Sequence, residues 1–325
     1  MVTEIQWIVV GAVTRRRPLM FADLLMSFET LRLPENTKLS FCFVENDDTL
    51  SITEKVAQFG CKSGFDVQAI LETQLGIPFA RNSVLNWAVD AGADYLVFID
   101  DDETASPDWL LELHLCQKNS AADLVGGPVH PIAPSKEIGL WPWIHLKGLQ
   151  LRGARMTNKN TTMVAAGAAQ KITVTTNNWL LRLNFLRQHG LRFDEELGFS
   201  GGSDAAFCYA LKKLSGRVSW TNKAMVFETM PMSRLTLRYQ FKRGCDQSIS
   251  SFHIRFDKSK RPLLLLRSLV FCLSKLLLGT VRLSISLFDG GKSLVLAMRA
   301  FGFAWGRILA LAGHKSSHYK KPHGS

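Results

Sequence analysis

A chain of 325 residues, 46% hydrophobic and 21% charged, has the length for one large or two modest domains around a real core, which excludes an intrinsically disordered protein. Its net charge of +11 calls for an anionic partner, either nucleic acid, a phosphorylated substrate or an anionic membrane surface. Cys42, Cys61, Cys116, Cys208, Cys245 and Cys272 lie far apart with no CxxC pair, and the chain opens directly into a strand. Reduced cysteines, a cytosolic compartment and no signal peptide are therefore expected.

In chain order, residues 5–13 form an apolar strand, followed by Thr14-Arg15-Arg16-Arg17-Pro18 as a loop and a helix from about Leu19 to Leu31. Three arginines at a strand's carboxyl end can meet phosphate or form a solvated basic loop. A second strand, Leu39 to Val44, ends in Glu45-Asn46-Asp47-Asp48, short polar groups that can bond a nucleobase or ribose or simply make a turn. Phe65 to Leu71 is the third strand. Gly76 to Ser83 then leads into a helix ending near Asp90, with Arg81 and Asn82 at its start, where unpaired amides favour anions.

Tyr95-Leu96-Val97-Phe98-Ile99 next runs without a break into Asp100-Asp101-Asp102-Glu103. A short apolar run of this kind reads as a strand buried on both faces, so the acids sit where it leaves the core. Ligands of open α/β sheets bind at that edge, and adjacent carboxylates repel one another unless a cation compensates them. Alternation along the strand puts Asp100 and Asp102 on one side and Asp101 on the other. The other reading is an acidic turn before a helix capped by Ser106 with Pro107 in its first turn.

A helix over 107–118 and a strand over 123–129 follow. Residues 130–170, rich in Gly, Pro and Trp, read as irregular. Regular structure resumes at Ile172 to Leu181, with a helix from Leu183 and another from Asp204 to Leu214. Before the latter stands Gly201-Gly202-Ser203-Asp204. Glycines permit a tight turn beside a ligand, and an aspartate at a helix start stays ionised, as a general base or as a plain cap. Strand and helix alternating with short links is the pattern of a mostly parallel sheet covered on both faces.

Together these residues resemble the family 2 glycosyltransferases with a GT-A fold, most closely the bacterial exopolysaccharide type that includes succinoglycan glucosyltransferases, over about Ile5 to Gly244. The family's strand ending in Asp-x-Asp matches Phe98 to Asp102, its Arg-Asn pair Arg81-Asn82, and its Gly-Gly-Glu-Asp element Gly201 to Asp204. Trp220, Glu228, Pro231, Arg234 and Lys242-Arg243-Gly244 match later landmarks.

The resemblance implies a Rossmann-like α/β sheet and a nucleotide-sugar donor, a UDP-hexose such as UDP-glucose. It places Asp100 on the sugar nucleotide, with Thr14, Glu45, Asn46, Arg81, Asn82 and Asp101 completing the donor pocket. Asp102 would hold Mg²⁺ or Mn²⁺ on the diphosphate, and Asp204 would deprotonate the acceptor hydroxyl. Ser203 stands where the family has Glu. No Gln-x-x-Arg-Trp element occurs near Arg234 to Gly244, so one sugar per acceptor is expected, with inversion.

Residues 262–288 are strongly apolar but interrupted by Arg267, Lys275 and Arg282, leaving no run of the roughly 18 or more apolar residues a spanning helix requires. At about 100° per residue the three cations fall within roughly 80° of one another, and Lys292, Arg299 and Arg307 repeat the spacing. The expectation is helices in the plane of an anionic membrane surface, with a core helix or a tilted spanning helix as alternatives. The organisation expected is a catalytic domain over 1–250, membrane-associated helices over 251–313 and a disordered tail over 314–325. It suits a lipid-linked saccharide acceptor at the cytoplasmic face of a bacterial inner membrane. The cations lack the aromatic interleaving of a single-strand nucleic-acid groove, so no nucleic acid is expected. A metal-dependent phosphohydrolase or nuclease and a non-enzymatic membrane-binding protein are the rival readings.

Overall fold

The computed structural model describes residues 5–135, 137–198, 201–255 and 261–316. The chain runs β1 (Gln6–Thr14), α1 (Pro18–Phe28), β2 (Thr37–Glu45), α2 (Thr53–Ser63), β3 (Asp66–Leu71), α3 (Ile77–Asp90) and β4 (Tyr95–Ile99). It continues through β5 (Glu103–Ala105), α4 (Trp109–Ser120), β6 (Leu124–Gly126), β7 (Val129–Ile132), α5 (Leu140–Ala165), β8 (Asn178–Arg182), α6 (Leu183–His189), α7 (Ser203–Lys213), β9 (Val218–Trp220) and β10 (Val226–Thr229). Three helices close it: α8 (Leu237–Arg255), α9 (Arg261–Ser286) and α10 (Lys292–Leu311). The main sheet has the order β3-β2-β1-β4-β8-β6-β9, parallel except for β8, which is antiparallel to both β4 and β6. A second sheet, β5-β10-β7, lies at its edge. The expected mostly parallel α/β sheet is present.

β4 is fully buried, and its alternation divides it between two cores. Tyr95, Val97 and Ile99 pack with Phe28, Phe41, Phe43 and Trp109, whereas Leu96 and Phe98 pack with Val84, Trp179, Phe193 and Phe207. Each such side chain contributes roughly 1.5–3 kcal/mol on burial. That anchorage lets the strand carry mutually repelling acids at its tip.

The structure departs from the sequence reading in several places. Residues 130–170 hold β7 and the 26-residue α5 rather than irregular chain. Gly148 and Gly153 hid that helix, yet Gly148 serves packing, since a Cβ there would lie 2.5 Å from the Lys292 carbonyl. α4 begins after Asp108, and the hydroxyl of Ser106 makes no cap bond; only its carbonyl accepts, from Trp109 N–H at 3.0 Å. The boundary expected near residue 250 falls inside α8.

α10 is clamped between α5, α8 and α9. A Cβ at Gly302 would collide with the Phe241 carbonyl, and one at Gly306 with the Cys245 carbonyl, so glycine lets the α8 and α10 backbones meet. Gly302→Val is expected to destabilise the protein by about 1–3 kcal/mol, the usual range for overpacking; an unchanged midpoint in urea would refute the close packing.

α9 covers α10 and reverses the usual polarity. Leu265, Leu269, Leu273 and Leu277 face outward, as do Leu287 and Phe288 of the α9–α10 turn, the last 89% exposed. Ser268, Cys272 and Ser286 are buried. Lys275 and Arg282 are half-buried on that inner side, with Arg282 Nη1 donating to the Leu296 carbonyl at 3.2 Å and Lys275 over the Phe271 and Phe303 rings. Arg299 and Arg307 are buried too. Lys275, Arg282, Arg299 and Arg307 of the expected basic stripes thus turn towards the protein while Arg267 and Lys292 stay exposed, because spacing fixes which residues share a face but not which face points in. Leu264–Ser286 and Lys292–Leu311 are also long and apolar enough to cross a membrane, contrary to the count of uninterrupted residues. Of the expected disordered tail, residues 314–316 are docked, Ser316 donating to Asp246 at 3.1 Å, and 317–325 lie outside the described residues.

Candidate active site

β4 delivers its acids beside the end of β1. Thr14 Oγ1 donates to Asp101 Oδ2 at 2.7 Å. Arg17 Nη1 bonds Asp101 Oδ1 at 2.7 Å and Asp102 Oδ2 at 3.3 Å. Arg234, just before α8, approaches that same Asp102 oxygen at 3.4 Å and pairs with Glu228 of β10 at 2.9 Å. Glu103 N–H donates to the Asp100 carbonyl at 3.3 Å, so residues 100–102 turn. The expected strict alternation gives way, and one guanidinium reaches both Asp101 and Asp102. Glu103 is 1% exposed, accepts from Asp100 N–H and Asn177 Nδ2, each at 2.9 Å, and faces Glu228 across the β5–β10 pair.

α3 contributes Arg81 and Asn82 from its second turn, one turn further in than expected, since the helix starts at Ile77. Arg81 donates from Nη2 to Asp100 Oδ1 at 3.3 Å and from Nη1 to Ser203 Oγ at 3.2 Å. Ser203, in the position of the family Glu, therefore holds the arginine that contacts Asp100. Asn82 donates to the Phe193 carbonyl at 3.0 Å and Glu195 at 2.9 Å and accepts from Phe193 N–H at 2.9 Å, pinning the approach to α7. Gly201 (φ 75°) and Gly202 (φ 91°) occupy the left-handed region open to glycine. Gly202 is the residue at the helix cap, so half-buried Asp204 lies inside the first turn of α7, accepting from Ala205 N–H at 2.8 Å.

Burial pushes the carboxyls of Asp100, Asp101, Glu103 and Glu228 up, Asp101 to about 6, Glu228 to about 7 and Glu103 well above its ordinary value. The charge of Asp102 adds to the rise of all four, and Asp204 adds to that of Asp100; Arg81, Arg17 and Arg234 offset it in part. Asp100 keeps 42% of its side chain in solvent, which screens its share. Hard oxygen donors carrying more negative charge than their arginines neutralise suit a divalent cation. Among the described residues no three His, Cys, Asp or Glu side chains form a closed cage.

The raised acids carry a pH signature. A carboxyl that binds its proton more tightly when folded contributes stability that is complete below its unfolded pKa and is lost as pH rises through the folded one. For Glu228 that window runs from 4.5 to about 7. The ligand-free protein is expected to lose stability relative to Glu228→Gln as pH rises across this window; a pH-independent difference in melting temperature would contradict the assignment.

Glu45 and Asn46 sit at the end of β2 with their side chains engaged locally. Glu45 accepts from Ser51 Oγ at 2.6 Å and Ile52 N–H at 3.1 Å, tying down the start of α2. Asn46 donates to the Glu72 and Gln74 carbonyls at 2.9 and 2.8 Å and accepts from Gly76 N–H at 2.8 Å. They build the wall rather than joining the acids. Thr14, Arg81, Asp100, Asp101, Asp102 and Asp204 do converge, with Asn82 holding the loop behind. Glu103 was not singled out for a role; its place as the fourth acid after the strand was the available signal.

No protein-family model matches the chain. The succinoglycan biosynthesis protein ExoM of Rhizobium meliloti (strain 1021) is 30% identical over 238 residues, 72% of this chain and 70% of ExoM. The mannosyltransferase PcManGT from Pyrobaculum calidifontis, solved in complex with GDP-Man and Mn²⁺, aligns with a TM-score of 0.55 and 13% identity over 96% of this chain and 76% of its own. The chain belongs to the family of the succinoglycan biosynthesis protein ExoM, and it shares the fold of the mannosyltransferase. Within this glycosyltransferase fold the carboxyl end of β4 is the tip on which the acids converge.

Proposed function

We propose that the protein transfers one hexose, glucose, from a UDP-sugar to a lipid-linked oligosaccharide in exopolysaccharide assembly, with inversion, at the cytoplasmic face of the inner membrane. The observation that carries this reading is the convergence of Asp100, Asp102 and Asp204 from β4 and α7, with arginines from three elements between them. The name of ExoM supports an exopolysaccharide product, and the GDP-Man and Mn²⁺ in the mannosyltransferase support a metal-assisted nucleotide-sugar donor. The apolar outer arc of α9 supports attachment to a membrane.

In this reading Asp204 accepts the proton of the acceptor hydroxyl while its oxygen bonds the anomeric carbon and the bond to the diphosphate breaks. Arg17, Arg81 and Arg234 face the departing diphosphate, and Asp100 orients the donor. A divalent cation, Mg²⁺ or Mn²⁺, held by Asp102 supplies neutralisation of the leaving group's charge. The test is calorimetry of the purified chain against a panel of nucleotide sugars with Mn²⁺ and with EDTA. One UDP-hexose is expected to bind only with metal; no binding by any donor, alongside hydrolysis of a phosphodiester, would replace this reading with the phosphohydrolase.

A further inference from the structure

Away from the acids, three guanidiniums gather where α5, α8 and α10 meet the second sheet. Gly153 of α5 lies over β7, its Cβ position 3.6 Å from the Val129 carbonyl and 4.0 Å from Pro131, and Pro131 pairs with Glu228. Arg152, next in the helix, lies within electrostatic reach of Glu228, and it follows by one turn Gly148, which packs against Val295 of α10. One turn beyond Val295 stands Arg299, 7% exposed, donating to Gln240 at 2.8 Å and to Gln247. Arg243 precedes Gly244, whose Cβ position is 2.5 Å from the Arg299 carbonyl.

The partners of Arg299 are neutral amides, and Arg152 has no ion pair among the described residues. Burial lowers the Arg152 and Arg299 guanidiniums, and the neighbouring arginines lower them further; Glu228 opposes this in both. Glu228 is already paired with Arg234. Guanidinium remains protonated in proteins, so the cluster is a fixed, partly desolvated positive site. Glu228 joins it to the acidic centre, and Arg155 beside Arg282 and Lys159 beside Lys275 extend it towards the inner side of α9. An acceptor with its hydroxyl at Asp204 and its lipid at α9 places its phosphates between the two.

We propose that Arg152 and Arg243, with the buried Arg299 adding positive charge behind them, bind the diphosphate of the lipid-linked acceptor. This deepens the function proposed above, and it assigns the phosphates of acceptor and donor to separate arginine sets.

The test uses the full chain in detergent with saturating UDP and Mn²⁺ filling the donor site, titrated calorimetrically with farnesyl diphosphate, farnesol and phosphatidylglycerol. Farnesyl diphosphate is expected to bind at least 10-fold more tightly than farnesol. Arg152→Gln is expected to remove most of that difference, Arg152→Lys to recover part of it, and UDP affinity and melting temperature to stay unchanged. Arg243→Gln provides a second variant. Equal farnesyl diphosphate affinity in wild type and both Gln variants overturns the proposal, as does a parallel loss of UDP affinity. Equally tight phosphatidylglycerol binding overturns it in favour of a general headgroup site. Failure of UDP itself to bind would count against the transferase reading and leave the farnesyl diphosphate comparison to decide the diphosphate site.

Discussion

Asp204→Asn is expected to leave folding and donor affinity at wild-type level and to slow sugar transfer by about 10²-fold or more, the scale of a lost general base. The substitution keeps the size of the side chain and can preserve the bond from Ala205 N–H, because an amide oxygen accepts as a carboxylate does. What it removes is the negative charge beside Asp100 and the ability to take a proton. A purely structural Asp204 would lose stability instead of rate, so kcat and melting temperature are measured together. Transfer near the wild-type rate would assign the base elsewhere.

Asp102→Ala is expected to erase the metal dependence of UDP binding. Asp102 is 8% exposed and engaged by Arg17 and Arg234, so its loss leaves Arg17 on Asp101 and Arg234 on Glu228 while removing a hard oxygen donor. Mn²⁺ is therefore expected no longer to tighten binding. Calorimetry with Mn²⁺ and with EDTA gives the comparison: equal affinities in the variant support the assignment, and Mn²⁺ tightening as strong as in wild type removes Asp102 from the metal site.

The sheet and the acidic tip were legible because burial on both faces leaves the five apolar residues of β4 only one place to end. Glycine spacing likewise placed Asp204 at the start of α7. α5 was not legible, since Gly148 meets a packing demand from α10 that sequence spacing cannot express. Glu45 and Asn46 read as donor ligands or a turn, and only their partners at 51–52 and 72–76 reveal the structural work. The polarity of α9 was inverted for a related reason: Lys275 and Arg282 find aromatic rings and a carbonyl inside, so the apolar side is left outside. Ser203 reads as a departure from the family pattern, and in the fold it bonds Arg81, which links α7 to Asp100.

The most direct test of the account is transfer itself. The purified chain is incubated with Mn²⁺, UDP-hexose labelled in the sugar and a lipid-linked oligosaccharide acceptor, and the label is followed into the organic phase. The account predicts one labelled hexose per acceptor, with stoichiometric release of UDP and none of either when EDTA is present. Label recovered as free sugar or sugar phosphate, with none on the lipid, would contradict it.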